Sequence, residues 1–132
     1  MRVRGAPAIA IVAALALAVE LRSREFSSVE ELKTFVERSL AHLCTSRPTA
    51  VNLFEVAERL ETLAQRQAAS GADVTHIKDA LLAEIEGMMD ADVADNRAIG
   101  MYGAAAILKD LARDAKVRVL TLCNACQSAL AA

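Results

Sequence analysis

The sequence predicts a mainly α-helical chain: an amino-terminal helical bundle followed by the first strand and helix of an α/β domain. Three observations carry this expectation. Hydrophobic residues make up 55% of the 132 residues, and only two prolines and five glycines interrupt them. Apolar side chains recur every three or four residues through most of the chain, the period of one helix face. Near residue 117 the texture changes to a β-branched run, KVRVLTL, whose length suits a single strand.

The first helix is expected over residues 8 to 21, where APAIAIVAALALAVEL is almost wholly apolar and Pro7 suits an opening turn. So apolar a helix belongs at the centre of a bundle rather than on its surface. After the polar break RSREFSS, Ser28 and Glu31 have the spacing of a capping box. Val29, Leu32, Val36, Leu40 and Leu43 then form a helical stripe that leads to Cys44. Pro48 drives Arg47 toward extended backbone, and Thr49 is placed to cap a helix starting near Ala50. That helix carries Leu53, Val56, Ala57, Leu60, Leu63 and Ala64 on one face and stops at Ser70, Gly71 and Asp73. A further helix from about Thr75 aligns Ile77, Leu81, Ile85, Met88 and Met89, with the methionines as core filler. The segment DADVADNRAIG is expected to break the chain, with a turn at Gly100 and a short helix from Tyr102 to Arg113. The strand and the small-residue segment CNACQSALAA follow. Residues 1–114 are thus assigned to a helical domain and 115–132 to the start of an α/β domain.

Composition excludes several functions. The net charge of −2 is spread along the chain and aromatic residues are 3%, so neither the basic face nor the stacking platform of a nucleic-acid binder is present. Three cysteines are too few for a disulfide framework. Cys123 and Cys126 have C-x-x-C spacing, but His42 and His76 supply no complementary metal motif. A redox pair and an inert pair both remain open for them. The start MRVRG with the apolar run Ala6 to Val19 imitates a signal peptide, although 14 residues are short for a membrane span and a buried helix explains the same run. No nucleotide-binding or hydrolase motif is present.

Four positions can carry chemistry. Arg4 precedes Gly5, Ala6 and Pro7 at the opening of a helix, where free amides and a guanidinium together favour a phosphate. Arg47, on a proline-stiffened loop ahead of the next helix, repeats that arrangement, with Asn52 one turn further on. Cys123 lies where the strand would end and a helix begin, the place where parallel sheets hold ligands and thiols ionise readily. Asp95, Asn96 and Arg97 form a polar knot that suits either substrate contact or a capping network. An exposed arginine and a buried structural thiol are the ordinary alternatives for Arg47 and Cys123.

Taken in order, VRGAPAIAI (3 to 11), SRPTAVNL (46 to 53), DNRAIG (95 to 100) and VLTLCN (119 to 124) resemble methylthioribose-1-phosphate isomerase. That enzyme shares a superfamily with the alpha, beta and delta subunits of initiation factor 2B. The resemblance implies that the second domain is Rossmann-like and that this chain is truncated at both ends relative to the family. It implies conversion of 5-methylthioribose 1-phosphate to 5-methylthioribulose 1-phosphate in methionine salvage. By this likeness, Arg4, Gly5, Ala6 and Arg47 contact the sugar phosphate, and Cys123 is the catalytic cysteine. No metal or organic cofactor is implied; a homodimer is, without nucleic acid or membrane, in the cytoplasm and, for a eukaryotic protein, also the nucleus.

Departures accompany the likeness. Leu122 replaces a family histidine, and Cys126 stands where a glycine is usual. The family's catalytic aspartate lies downstream of the matching region, so the isolated chain is expected to be inactive. The main alternative is a noncatalytic regulatory or assembly protein related to initiation factor 2B. A ribose-bisphosphate isomerase and a secreted helical protein are further alternatives.

Overall fold

In the computed structural model, the described residues are 3, 5–109 and 116–120. Among them every regular element is an α-helix: α1 (Ala6–Ser23), α2 (Val29–Ser46), α3 (Val51–Ala69) and α4 (Val74–Leu108). Helix α1 packs mainly on α3 and α4, and α2 closes the bundle against α3.

The helices begin and end for identifiable reasons. Ser28 caps α2, its side chain accepting from the Glu31 amide at 3.2 Å. Glu31 reaches back as expected, but it accepts the Ser27 amide at 2.8 Å rather than that of Ser28. Asp73 caps α4 by accepting from the His76 amide at 2.8 Å. Helix α3 ends in a glycine cap: Gly71, at φ 80°, donates to Ala68 O at 3.0 Å, and Ala72 donates to Gln67 O at 3.1 Å. This crossed pair satisfies carbonyls that the helix end leaves open.

The core follows the predicted stripes. Ala14, Leu17, Ala18 and Leu21 of α1 meet Leu32, Val36 and Leu40 of α2. Ala57, Leu60 and Ala64 of α3, with Ile77, Leu81, Ile85 and Met88 of α4, complete the cluster. Each fully buried leucine or isoleucine contributes about 1.5–3 kcal/mol relative to exposure. Because alanines occupy four of these positions, the backbones approach closely, and larger side chains there would push the helices apart.

Several expectations require correction. The strand predicted around Val117 is not formed: Lys116–Leu120 has no regular secondary structure, and Val119 and Leu120 are 69% and 99% exposed. A strand is stabilised by a hydrogen-bonded neighbour, and β-branched residues without one have no pleated surface to pack on. The all-helical topology of the described residues thus overturns the expected fold class, in which a helical bundle was followed by the first strand and helix of a Rossmann-like α/β domain. The expected helix after Cys123 and the 115–132 segment's remainder lie outside the described residues.

The break around DADVADNRAIG is also absent. Helix α4 runs unbroken for 35 residues, roughly 52 Å, through Gly87, Gly100 and Gly103. A single glycine costs a helix only about 1 kcal/mol, and no proline interrupts the segment. Its buried positions end at Met88, so its carboxy-terminal half projects beyond the core, and Met89 is exposed rather than filling it. Thr49 does not cap α3; Ala50 holds the N-cap position without a side-chain bond, and the turn closes through its amide donating to Arg47 O at 3.0 Å. Finally, α1 is less enclosed than its composition predicts, with Val12 and Val19 exposed. It is long and apolar enough to cross a membrane by length and composition, yet Leu17 and Leu21 are 2% and 0% exposed within the bundle.

Candidate functional site

The opening of α1 depends on Gly5. Its φ of 75° with ψ 134° is a combination that side chains disfavour, and it sets the N-cap of a helix whose second position is Pro7. The Gly5 carbonyl accepts from Ile9 at 3.0 Å, while no side chain caps the free amides of the first turn. Those amides are available to an anion. Ala6 begins the helix and is exposed. Arg4, immediately before, lies outside the described residues, as does Cys123.

Arg47 is the C-cap of α2 at φ −145° and ψ 79°, half-buried and outside both the helical and the fully extended regions, so the extended backbone expected before Pro48 is not reached. Four residues later α3 starts, so the second motif delivers both a guanidinium and a helix opening.

Around the openings of α1 and α3 lies a groove of about 330 Å³, with α4 forming its third wall. Pro7, from the first motif, lines it together with Asn52 from the second and Asp95 from the third. These three residues stand 43 or more positions apart in pairs and meet because α1, α3 and α4 pack on one another. The apolar part of the lining includes Ile11, Val56 and Met88, and Gly87 leaves open space above it, since a Cβ there would meet nothing within 4 Å. Among the described residues the polar part is acidic, with Glu55, Glu84, Asp92 and Asp95 beside one guanidinium, Arg59.

Arg59 is committed to Glu84 in an ion pair between α3 and α4. Glu84 Oε1 has almost no accessible surface, and the Arg59 guanidinium is its charged partner. Of the polar knot, only Asp95 lines the groove. Asn96 turns back on its own helix, donating to Asp92 O at 2.8 Å, and Arg97 is exposed. No cap is needed there, because α4 continues through the segment.

Sequence reasoning missed the pairing of Arg59 with Glu84 and the part played by Gly87. Their only signal was helical spacing: Glu84 and Gly87 lie three apart on the α4 face adjacent to the core stripe. In the last turns of α2, Cys44 packs partly against the core, where burial and the nearby Glu61 carboxylate push its thiol pKa up. It is therefore unsuited to act as a thiolate at neutral pH. Among the described residues no cluster of His, Cys, Asp or Glu could hold a metal ion.

With the geometry established, comparison with known proteins identifies its lineage. Residues 2–131 match the family described as "Initiation factor 2 subunit family". The methylthioribose-1-phosphate isomerase of Zea mays is 48% identical over 125 residues, covering 94% of this chain and 34% of that protein. Its counterpart in Nematostella vectensis is 50% identical over 125 residues, again covering 94% of this chain and 34% of that protein. The Pyrenophora tritici-repentis protein of the same name is 49% identical over 128 residues, covering 94% and 33% respectively. The chain spans about a third of the length of these curated relatives. It belongs to the initiation factor 2 subunit family.

Proposed function

We propose that this chain forms the sugar-phosphate-binding part of an aldose–ketose isomerase acting on 5-methylthioribose 1-phosphate. The observation that carries the proposal is the meeting of Pro7, Asn52 and Asp95, from three separate motifs, in one groove beside two helix openings. Identity of 46–50% to relatives named for that isomerase supports the same substrate.

In this proposal Arg4 and Arg47 bind the phosphate, and the Gly5–Ala6 turn presents backbone amides to it. A guanidinium suits the task because it offers two parallel donors to phosphate oxygens. The C1 phosphate blocks ordinary opening to a free aldehyde, so the ring must open with a proton delivered to its oxygen. Hydrogen then leaves C2 and arrives at C1, with no net oxidation of the sugar and no cofactor required. Cys123 assists that transfer. The ring-oxygen proton donor implied by the resemblance is an aspartate. As in the family, the complete enzyme is proposed to act as a cytosolic homodimer.

The test is a chimaera in which this chain replaces the matching third of the Zea mays isomerase, with conversion followed by NMR. The chimaera should convert the substrate, and Cys123→Ser should lower kcat at least about 100-fold, the scale of losing an acid–base group. A folded chimaera without activity, or one indifferent to Cys123→Ser, would refute the assignment.

A further inference from the structure

The groove between α1, α3 and α4 has a charge pattern that fixes how a sugar phosphate can enter it. Among the described residues, Glu55, Glu84, Asp92 and Asp95 line the groove with one guanidinium, Arg59, which is paired with Glu84. A phosphate dianion is repelled from such a lining, whereas sugar hydroxyls can donate hydrogen bonds to carboxylates. Among the described residues, phosphate-favouring features lie at the end where α1 and α3 open and Arg47 follows α2. From Asp95 to Gly87 the groove follows eight residues of α4, roughly 12 Å. Ile11, Val56 and Met88 make part of that length apolar, and Gly87 keeps it unfilled.

We infer that this groove is the subsite for the uncharged end of the substrate, with Asn52 and Asp95 receiving sugar hydroxyls and the 5-methylthio group lying over Gly87 against Ile11, Val56 and Met88. The inference rests on the sugar-phosphate reading and adds its direction: phosphate at the helix openings, thioether along α4. A soft, apolar thioether gains contact with methionine and aliphatic side chains that a 5-hydroxyl would not. The 5-methylthio group is thereby a specificity determinant read by α4, and Gly87 is the residue whose missing side chain admits it.

The experiment uses the 132-residue chain and its Gly87→Leu variant, with binding measured calorimetrically for 5-methylthioribose 1-phosphate and for inorganic phosphate. Leucine is a better helix former than glycine, and the position is exposed and clear of neighbours, so the variant should melt no lower than the wild type by circular dichroism. The expected result is that Gly87→Leu weakens the methylthio sugar at least about tenfold more than inorganic phosphate, the discrimination typical of a filled apolar subsite. Asn52→Ala should likewise weaken the sugar more than the phosphate. Equal weakening of both ligands, or none, overturns the inference while leaving the sugar-phosphate reading standing. Failure of the wild type to bind either ligand overturns both.

Discussion

Replacing Gly100 with alanine separates two descriptions of the α4 segment by the sign of its effect. In the continuous helix Val74–Leu108, Gly100 is not at positive φ, and a Cβ added there meets nothing within 4 Å. Alanine then contributes its full helix propensity, about 1 kcal/mol relative to glycine. Gly71 is the internal control with the opposite sign. Its Cβ would also meet nothing within 4 Å, but its φ of +80° is the left-handed cap conformation, and an L side chain there costs about 1–2 kcal/mol. Because Gly100 lies beyond the last buried residue of α4, the gain should appear in local opening more than in global unfolding. Hydrogen exchange of the amides around residue 100 should slow by about fivefold in Gly100→Ala, the equivalent of 1 kcal/mol. Gly71→Ala should instead lower the urea midpoint, followed by circular dichroism. Faster exchange around Gly100 after substitution would mean that alanine is strained there, and the uninterrupted helix would be refuted.

The core, the pH response and the free thiol give further checks. Leu60, fully buried on α3 in the core cluster, should lose about 2–5 kcal/mol on Leu60→Ala in urea unfolding; a loss below about 1 kcal/mol would contradict its burial. Burial, together with Glu37 and Glu58, holds the Glu61 pKa above its ordinary 4.5, so the folded state binds this proton more tightly than the unfolded chain. Its stabilising contribution is complete below that ordinary value and is lost as pH rises through the folded-state pKa. Glu61→Gln should therefore gain stability relative to wild type between pH 4 and pH 7 (on the order of the titration range of a raised carboxylate), and a constant or shrinking difference would contradict this. At pH 7.5 (roughly a unit below an ordinary thiol pKa), iodoacetamide should label Cys44 more slowly in the folded chain than in urea, since burial suppresses its thiolate; equal rates would show an accessible, unshifted thiol.

How much the sequence disclosed depended on whether a residue's role was local. Helix α1, expected at 8 to 21, spans Ala6–Ser23, and the Ser28 cap of α2 lies at its predicted residue. Leu32, Val36 and Leu40, like Ile77, Leu81 and Ile85, are buried as their spacing requires, because an amphipathic period encodes its own inward face. Two errors arose where a local signal was weak against its context. Gly100 reads as a turn in isolation, but neighbouring alanines and the absence of proline let the helix continue through it. The β-branched residues Val117 and Val119 favour a strand only beside a partner strand, and none is formed among the described residues.

The candidate site shows the same division. The helix opening at Gly5, Ala6 and Pro7 was legible from local residue types, and the structure adds that Gly5 holds a positive φ there. The meeting of Pro7, Asn52 and Asp95 was not, since it is created by packing among three helices rather than by spacing within one. Helical periodicity alone also could not reveal that Arg59 is held by Glu84, or that the groove's acidic lining opposes a phosphate.

The most direct test of the central claim is an NMR titration of the isotope-labelled chain with 5-methylthioribose 1-phosphate. If the motifs form one sugar-phosphate site, the amides of Ala6, Arg47, Asn52 and Asp95 should shift together and saturate with a single Kd. Arg47→Ala should weaken that Kd by about 10- to 100-fold, the scale of a charge-assisted hydrogen bond to phosphate. Absence of saturable shifts, or shifts confined to surfaces away from the groove such as the exposed face around Val19, would contradict it.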